Sequence, residues 1–196
     1  MNQPRTKSFW RNDLPHWEIE EGTYFFTIRC AESLPKEALQ GIAEIHRSMN
    51  AVEPASEAFR LQQRRYFRTL EKYLDAGTGF CPFRDARCCV LVREALASLT
   101  EDGWIVRHFV LMPNHLHALI DTTQDAAPMK AVWRAWKGRT AREANRLLGR
   151  TGPFWQRDWF DRWMRDPAAP RVVDYIRNNP VKAGLVQQWE DYPWLG

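Results

Sequence analysis

Apolar positions along the chain follow two periods, and these divide it into strands and helices. Residues 23–30 (Thr-Tyr-Phe-Phe-Thr-Ile-Arg-Cys) are β-branched and aromatic and predict a strand. Residues 104–111 and 115–121 predict two more. The reversal at Pro113-Asn114 makes them a hairpin, since proline fixes φ and asparagine tolerates the next turn position. Helical spacing predicts a helix from Ser33-Leu34-Pro35 to about Met49, with Ser33 as N-cap. A charged helix follows over 57–74, its apolar side formed by Phe59, Leu61, Tyr66, Leu70 and Tyr73. Helices are also expected over 85–99 and 128–148, the latter with Met129, Val132, Trp133, Trp136, Thr140 and Leu147 on one side. Residues 154–164 read as a strand-like aromatic block. Residues 167–178 read as a short helix stopped by Asn179-Pro180. Residues 1–21 are polar and proline-bearing and predict an irregular lead-in, 22–186 one domain, and 187–196 a tail. The order suits an α+β domain, an antiparallel sheet with helices on one face.

Composition narrows the class. At 44% hydrophobic and 27% charged residues, the chain resembles an ordinary globular domain. No apolar run approaches the ~18 residues of a membrane span, and the N-terminus lacks the apolar stretch of a signal peptide, so a cytoplasmic protein is expected. The four cysteines include no CxxC pair, which predicts free thiols. Charge is uneven. Between Met129 and Arg165 lie ten basic residues and three acids, a balance of +7, against +4 for the whole chain. A solvated helix face would account for this. So would a surface for a polyanion, and the interleaved Trp133, Trp136, Trp155, Trp159 and Trp163 favour nucleic acid, although most of these rings also suit a core.

The candidate chemistry lies in two segments. His115 and His117 are two residues apart on a predicted strand, so both imidazoles leave the same face and could converge on a divalent metal. Two polar residues on a solvated strand would show the same spacing. Tyr175 could serve as a nucleophile if a cation withdrew charge from a phosphate, or could be a half-buried helix tyrosine. Asn179 lies four residues on, on the same side of a helix, as a third ligand or a terminal residue before proline.

Taken together, the segments resemble a known family. His115-Leu116-His117 is similar to the HUH motif (histidine, hydrophobic, histidine), within Met112-Pro113-Asn114-His115-Leu116-His117. The run from Asp174-Tyr175 through Asn179-Pro180 to Gly184-Leu185-Val186 resembles the tyrosine segment of REP-associated tyrosine transposases, and Phe154-Trp155-Gln156-Arg157-Asp158-Trp159 resembles their aromatic block. Where relatives often carry a histidine after that block, this chain has Phe160-Asp161-Arg162-Trp163. The resemblance implies a ferredoxin-like, RRM-like sheet and Mg²⁺ or Mn²⁺ held by His115, His117 and Asn179. It also implies Tyr175 attacking single-stranded or hairpin (REP-like) DNA to give a 5′-phosphotyrosine. Such a bacterial nickase–ligase would act as monomer or homodimer, with Lys130, Arg134, Lys137, Arg142 and Arg177 on phosphates. The alternatives are a domesticated hairpin-DNA-binding module and a metal phosphodiesterase that uses water.

Overall fold

The computed structural model describes residues 5–53, 56–164 and 170–196. Its elements run β1 (Thr6–Arg11), β2 (Pro15–Ile19), β3 (Thr23–Arg29), α1 (Lys36–Asn50), α2 (Glu57–Leu74), α3 (Ala86–Ala97), β4 (Trp104–Met112), β5 (His115–Thr122), α4 (Met129–Leu147), β6 (Phe160–Met164) and α5 (Pro170–Lys182). Four strands form an antiparallel sheet in the order β4-β5-β3-β6. The expected α+β class is the observed one. The helices, however, cover both faces rather than one.

Strand register explains this. β3 and β5 lie in the middle of the sheet, and nearly every residue on them is buried, so each face carries its own apolar set. Tyr24, Phe26, Ile28, Leu116, Ala118 and Ile120 pack with Trp133 and Trp136 of α4 and with α3. Phe25, Val110, Leu119 and Phe160 pack on the opposite face with residues of α1, α2 and α5. His117 pairs across the sheet with Thr27 and Val110, which places both imidazoles on that second face, between sheet and α2/α5.

Four local expectations are corrected. The described part of the lead-in forms the β1–β2 hairpin, which packs against β6. Ser33 is buried and does not cap α1, which starts after Pro35. Leu61 is 51% exposed, so the apolar side of α2 is turned toward Glu71 and away from Leu61. Pro180 lies inside α5 and does not end it. The stop comes at Gly184 (φ 69°), where Leu185 N–H donates to the Pro180 carbonyl and Gly184 N–H to that of Val181, a Schellman closure that only a residue comfortable at positive φ makes cheaply. The expected start of this helix at Pro167 lies outside the described residues. At the other edge, the tail pairs with β4 through mutual Phe109–Gly196 backbone bonds and covers its open side.

The β1–β2 hairpin is pinned by a buried ion cluster. His16 is fully buried, its Nδ1 2.7 Å from Asp161 Oδ1 and its Nε2 2.9 Å from Asp158 Oδ1, with its ring beside Trp10 and Trp159. Burial opposes charge on the imidazole, but the two carboxylates outweigh it and push His16 up to about 9. A group raised above its unfolded value adds stability that is complete below pH ~6.5 and is lost as pH climbs through the folded value. Wild-type protein should therefore lose on the order of 3 kcal/mol of unfolding free energy between pH 6.5 and 9.5, and His16→Gln should abolish that slope. Urea melts at the two pH values measure it, and equal slopes in both proteins would contradict the assignment.

Candidate metal and nucleophile site

The hairpin turn sets the histidines. Asn114, buried in the turn, donates from its Nδ2 to the Thr78 carbonyl (3.2 Å), and its own carbonyl accepts from Cys30 N–H (2.8 Å). With its Nδ2 so engaged, Oδ1 faces His115 Nδ1 at 2.8 Å. An amide oxygen only accepts, so Nδ1 of His115 carries the proton and Nε2 presents its lone pair. Burial, then the neighbouring His117 and Lys182, hold His115 well below the ordinary imidazole range, so the ring is neutral.

His117 meets Thr27 Oγ1 at 2.9 Å through Nδ1, and its Nε2 lies 3.0 Å from His115 Nε2. A hydroxyl both donates and accepts. When Thr27 donates, His117 Nε2 holds the proton and gives it to His115. When Thr27 accepts, two lone pairs face one point, and a cation there would take the proton's place.

A carboxylate completes the group. Glu71, buried on α2, has one oxygen 3.3 Å from His117 Nε2 without hydrogen-bond geometry, and its other oxygen accepts from the Tyr175 hydroxyl. Glu71, His115 and His117 each offer one ligand atom, all within 4.8 Å of one another, and together they could hold a metal ion. Tyr175 OH is itself 3.3 Å from His117 Nε2, and its ring meets His117, Phe25 and Phe67 edge-on. All four groups belong to a single chain.

Inward-facing residues on two helices bring the tyrosine and the carboxylate together. Val172, Ile176 and Asn179 are buried at helical spacing on α5, and half-buried Tyr175 adjoins that stripe. Lys182 and Asp75 form a 2.5 Å ion pair that joins the same two helices. Asn179 is 1% exposed, and neither amide atom has a hydrogen-bond partner among the described residues, which leaves a donor and an acceptor unused beside the site's helix.

The sequence-predicted basic residues separate. Lys130, Arg134 and Arg142 are exposed on α4, which packs on the face of the sheet away from the imidazoles. Lys137 instead donates to the carbonyls of Gln156 (2.6 Å) and Arg157 (2.7 Å) and lies over Trp159, so it anchors the aromatic block. Its burial pulls the amine down to about 8. Arg177 is half-buried on α5, stacked over Trp189. Sequence reasoning missed Glu71, Thr27 and the second role of Asn114.

No family model matches the chain, and no curated protein does. Among solved structures, it is similar to one described as a REP-associated tyrosine transposase bound to a REP hairpin: 19% identity over 94% of this chain and 82% of that one, with a TM-score of 0.54. A candidate transposase from Deinococcus radiodurans aligns at 13% identity and a TM-score of 0.36 over 80% of this chain and 89% of that one, too slight a likeness to argue from. At these identities the first comparison is a likeness of fold: the chain shares the α+β architecture of that structure.

Proposed function

We propose that this protein is a metal-dependent single-strand DNA endonuclease and strand transferase of the tyrosine transposase type, acting on hairpin DNA. The observation that carries the reading is the contact of the Tyr175 hydroxyl with Glu71, 3.3 Å from His117, beside the neutral imidazole of His115. A phenol is a weak nucleophile near neutral pH, since its ordinary pKa is about 10. Here a carboxylate already accepts its hydrogen. In the proposed step the Tyr175 oxygen bonds to the scissile phosphorus and its proton passes to Glu71. The bond from phosphorus to the 3′ oxygen breaks and that oxygen takes up a proton from solvent water, which leaves a 5′-phosphotyrosine and a free 3′-hydroxyl, while Glu71 returns its proton to solvent. The phosphodiester energy is kept in the linkage, so a 3′-hydroxyl attacking it rejoins the strand without ATP.

His115, His117 and Glu71 would hold the cation, with Asn179 as a further protein donor. Facing lone pairs and a carboxylate oxygen with no hydrogen bond make a donor set that fits a divalent ion, and the orphaned Asn179 amide leaves an oxygen uncommitted for it. Of Mg²⁺ and Mn²⁺, the nitrogen donors favour Mn²⁺. When bound, the ion would withdraw charge from the phosphate. Arg177, two residues after Tyr175 on α5 and stacked over Trp189, would meet a phosphate on the other side of that helix, while Lys130, Arg134 and Arg142 would meet DNA only where it wraps behind the sheet. The hairpin-bound fold relative supports a hairpin substrate, and a DNA enzyme of this kind would work in the cytoplasm at the nucleoid.

Two experiments test the reading. With labelled hairpin DNA and Mn²⁺, wild-type protein should form a covalent protein–DNA band. Tyr175→Phe should lose that band and cut about 10³-fold or more slowly, while still binding. Undiminished cutting by Tyr175→Phe would assign the chemistry to water, and binding without any cutting by wild-type protein would assign a binding module. Separately, Mn²⁺ at a hundredfold excess over Kd should stabilise the folded protein by about 2.7 kcal/mol, several degrees in Tm. His115→Ala and Glu71→Ala should each remove that shift. A full shift in Glu71→Ala, lost instead in Asn179→Ala, would return the third ligand to the asparagine and leave Glu71 serving the tyrosine alone.

A further inference from the structure

The imidazole face carries a positive surface of its own, apart from the basic residues of α4. Arg64 and Arg68 are exposed on α2 and one helical turn apart, about 6 Å along its axis. Half-buried Arg162 projects from β6 into the same groove, and among the described residues none of these three has a carboxylate partner. Arg162 is held below its ordinary value by burial first and by the charge of Arg64 second, so the guanidinium groups crowd each other. A cavity of about 480 Å³ opens between them and the β1–β2 hairpin. Its far wall is aromatic, with Phe9, 41% exposed, meeting Trp17 edge-on at 6.0 Å. Its inner end is Phe67, whose ring also contacts Tyr175 (5.7 Å between centroids) and His117 (6.3 Å). One phenylalanine is therefore wall to both the groove and the reactive centre.

We infer that this groove binds the single-stranded DNA that leads to Tyr175, with Arg64, Arg68 and Arg162 on its phosphates and Phe9 and Trp17 against its bases. The inference rests on the nuclease reading above and adds where the strand runs. Unpaired nucleotides match both halves of the groove, because each carries a negative charge on one side and a flat π face on the other. The arginine spacing suits successive phosphates of an extended strand. A duplex hides its base faces and is too wide for the cavity. An acidic peptide would answer the charge but leave the exposed rings without a flat partner. A fluid, single-strand-tolerant contact of this kind also explains why β1 keeps a large apolar ring in water, a cost in an isolated hairpin.

The test is fluorescence anisotropy on a short mixed-sequence single strand and a blunt duplex, in a Tyr175→Phe background so that no covalent capture interferes. The paired change Arg64→Ala with Arg68→Ala should weaken single-strand binding about tenfold and lower the slope of log affinity against log salt by about 1.4, two phosphate contacts' worth. Phe9→Ala should weaken binding several-fold and leave the slope unchanged. Both arginines are exposed, so melting curves should match the parent protein. As a measurement independent of any arginine variant, a strand carrying 5-iododeoxyuridine should photocrosslink to Phe9 or Trp17. Single-strand affinity within twofold of the parent in both variants, crosslinks confined to other regions, or displacement of the strand by polyglutamate at equal charge would each overturn the groove. Absence of a covalent band from the Tyr175 protein would sink the nuclease reading by itself, while the anisotropy would still decide the groove.

Discussion

Burying two imidazoles and a carboxylate against one another is the constraint that organises this molecule. Removing such groups from water is costly unless each finds a partner. His115 finds Asn114, and His117 finds Thr27. Glu71 finds the Tyr175 hydroxyl, so the helix that supplies the phenol is also the helix that closes over the imidazoles. The Asp75–Lys182 pair and the apolar stripe of α5 hold that lid at its outer end. Taking away the tyrosine hydroxyl would leave a buried carboxylate oxygen short of a donor. The proposed nucleophile is thus tied to the folding of the site as well as to its proposed chemistry.

The two faces of the sheet divide the work. One face, with Trp133 and Trp136 of α4 packed on Phe26 and its neighbours, is a conventional apolar core with a solvated basic outer surface. The other carries the polar group, enclosed by aromatic rings: Phe25 stacks on His117, and Phe67 and Tyr175 meet edge-on. Those rings keep water from the imidazoles and lower the local dielectric, which strengthens every charge interaction inside. The N-terminal hairpin, pinned by the His16 cluster, extends this second face and supplies the groove's far wall.

Much of the site could be read from spacing alone, because its parts are local. The i,i+2 histidines depend only on strand geometry, the turn only on Pro113-Asn114, and Tyr175 only on its own helix. Glu71 could not be placed that way. The charged residues of α2 allow more than one inward side, and choosing Leu61 over Glu71 rotates the helix; the available signal was an acid lying between Leu70 and Leu74 on the stripe. The β1–β2 hairpin was hidden because its strands are short and polar, and its order comes from a buried ion cluster formed with residues some 145 positions away. The helix running past Pro180 shows tertiary packing and a glycine closure at Gly184 overriding a local breaker. The basic run on α4 was conspicuous by count, yet it lies behind the sheet, and the arginines nearest the site were fewer and less clustered in sequence.

The central claim is that one chain gathers a phenol, two imidazoles and a carboxylate around a common cation. Anomalous diffraction from crystals of the protein grown with Mn²⁺ tests it most directly. The account predicts a single strong peak bonded to His115 Nε2, His117 Nε2 and a Glu71 oxygen, with the Tyr175 hydroxyl beside it. A peak elsewhere, or imidazoles that stay hydrogen-bonded to each other in saturating Mn²⁺, would contradict it.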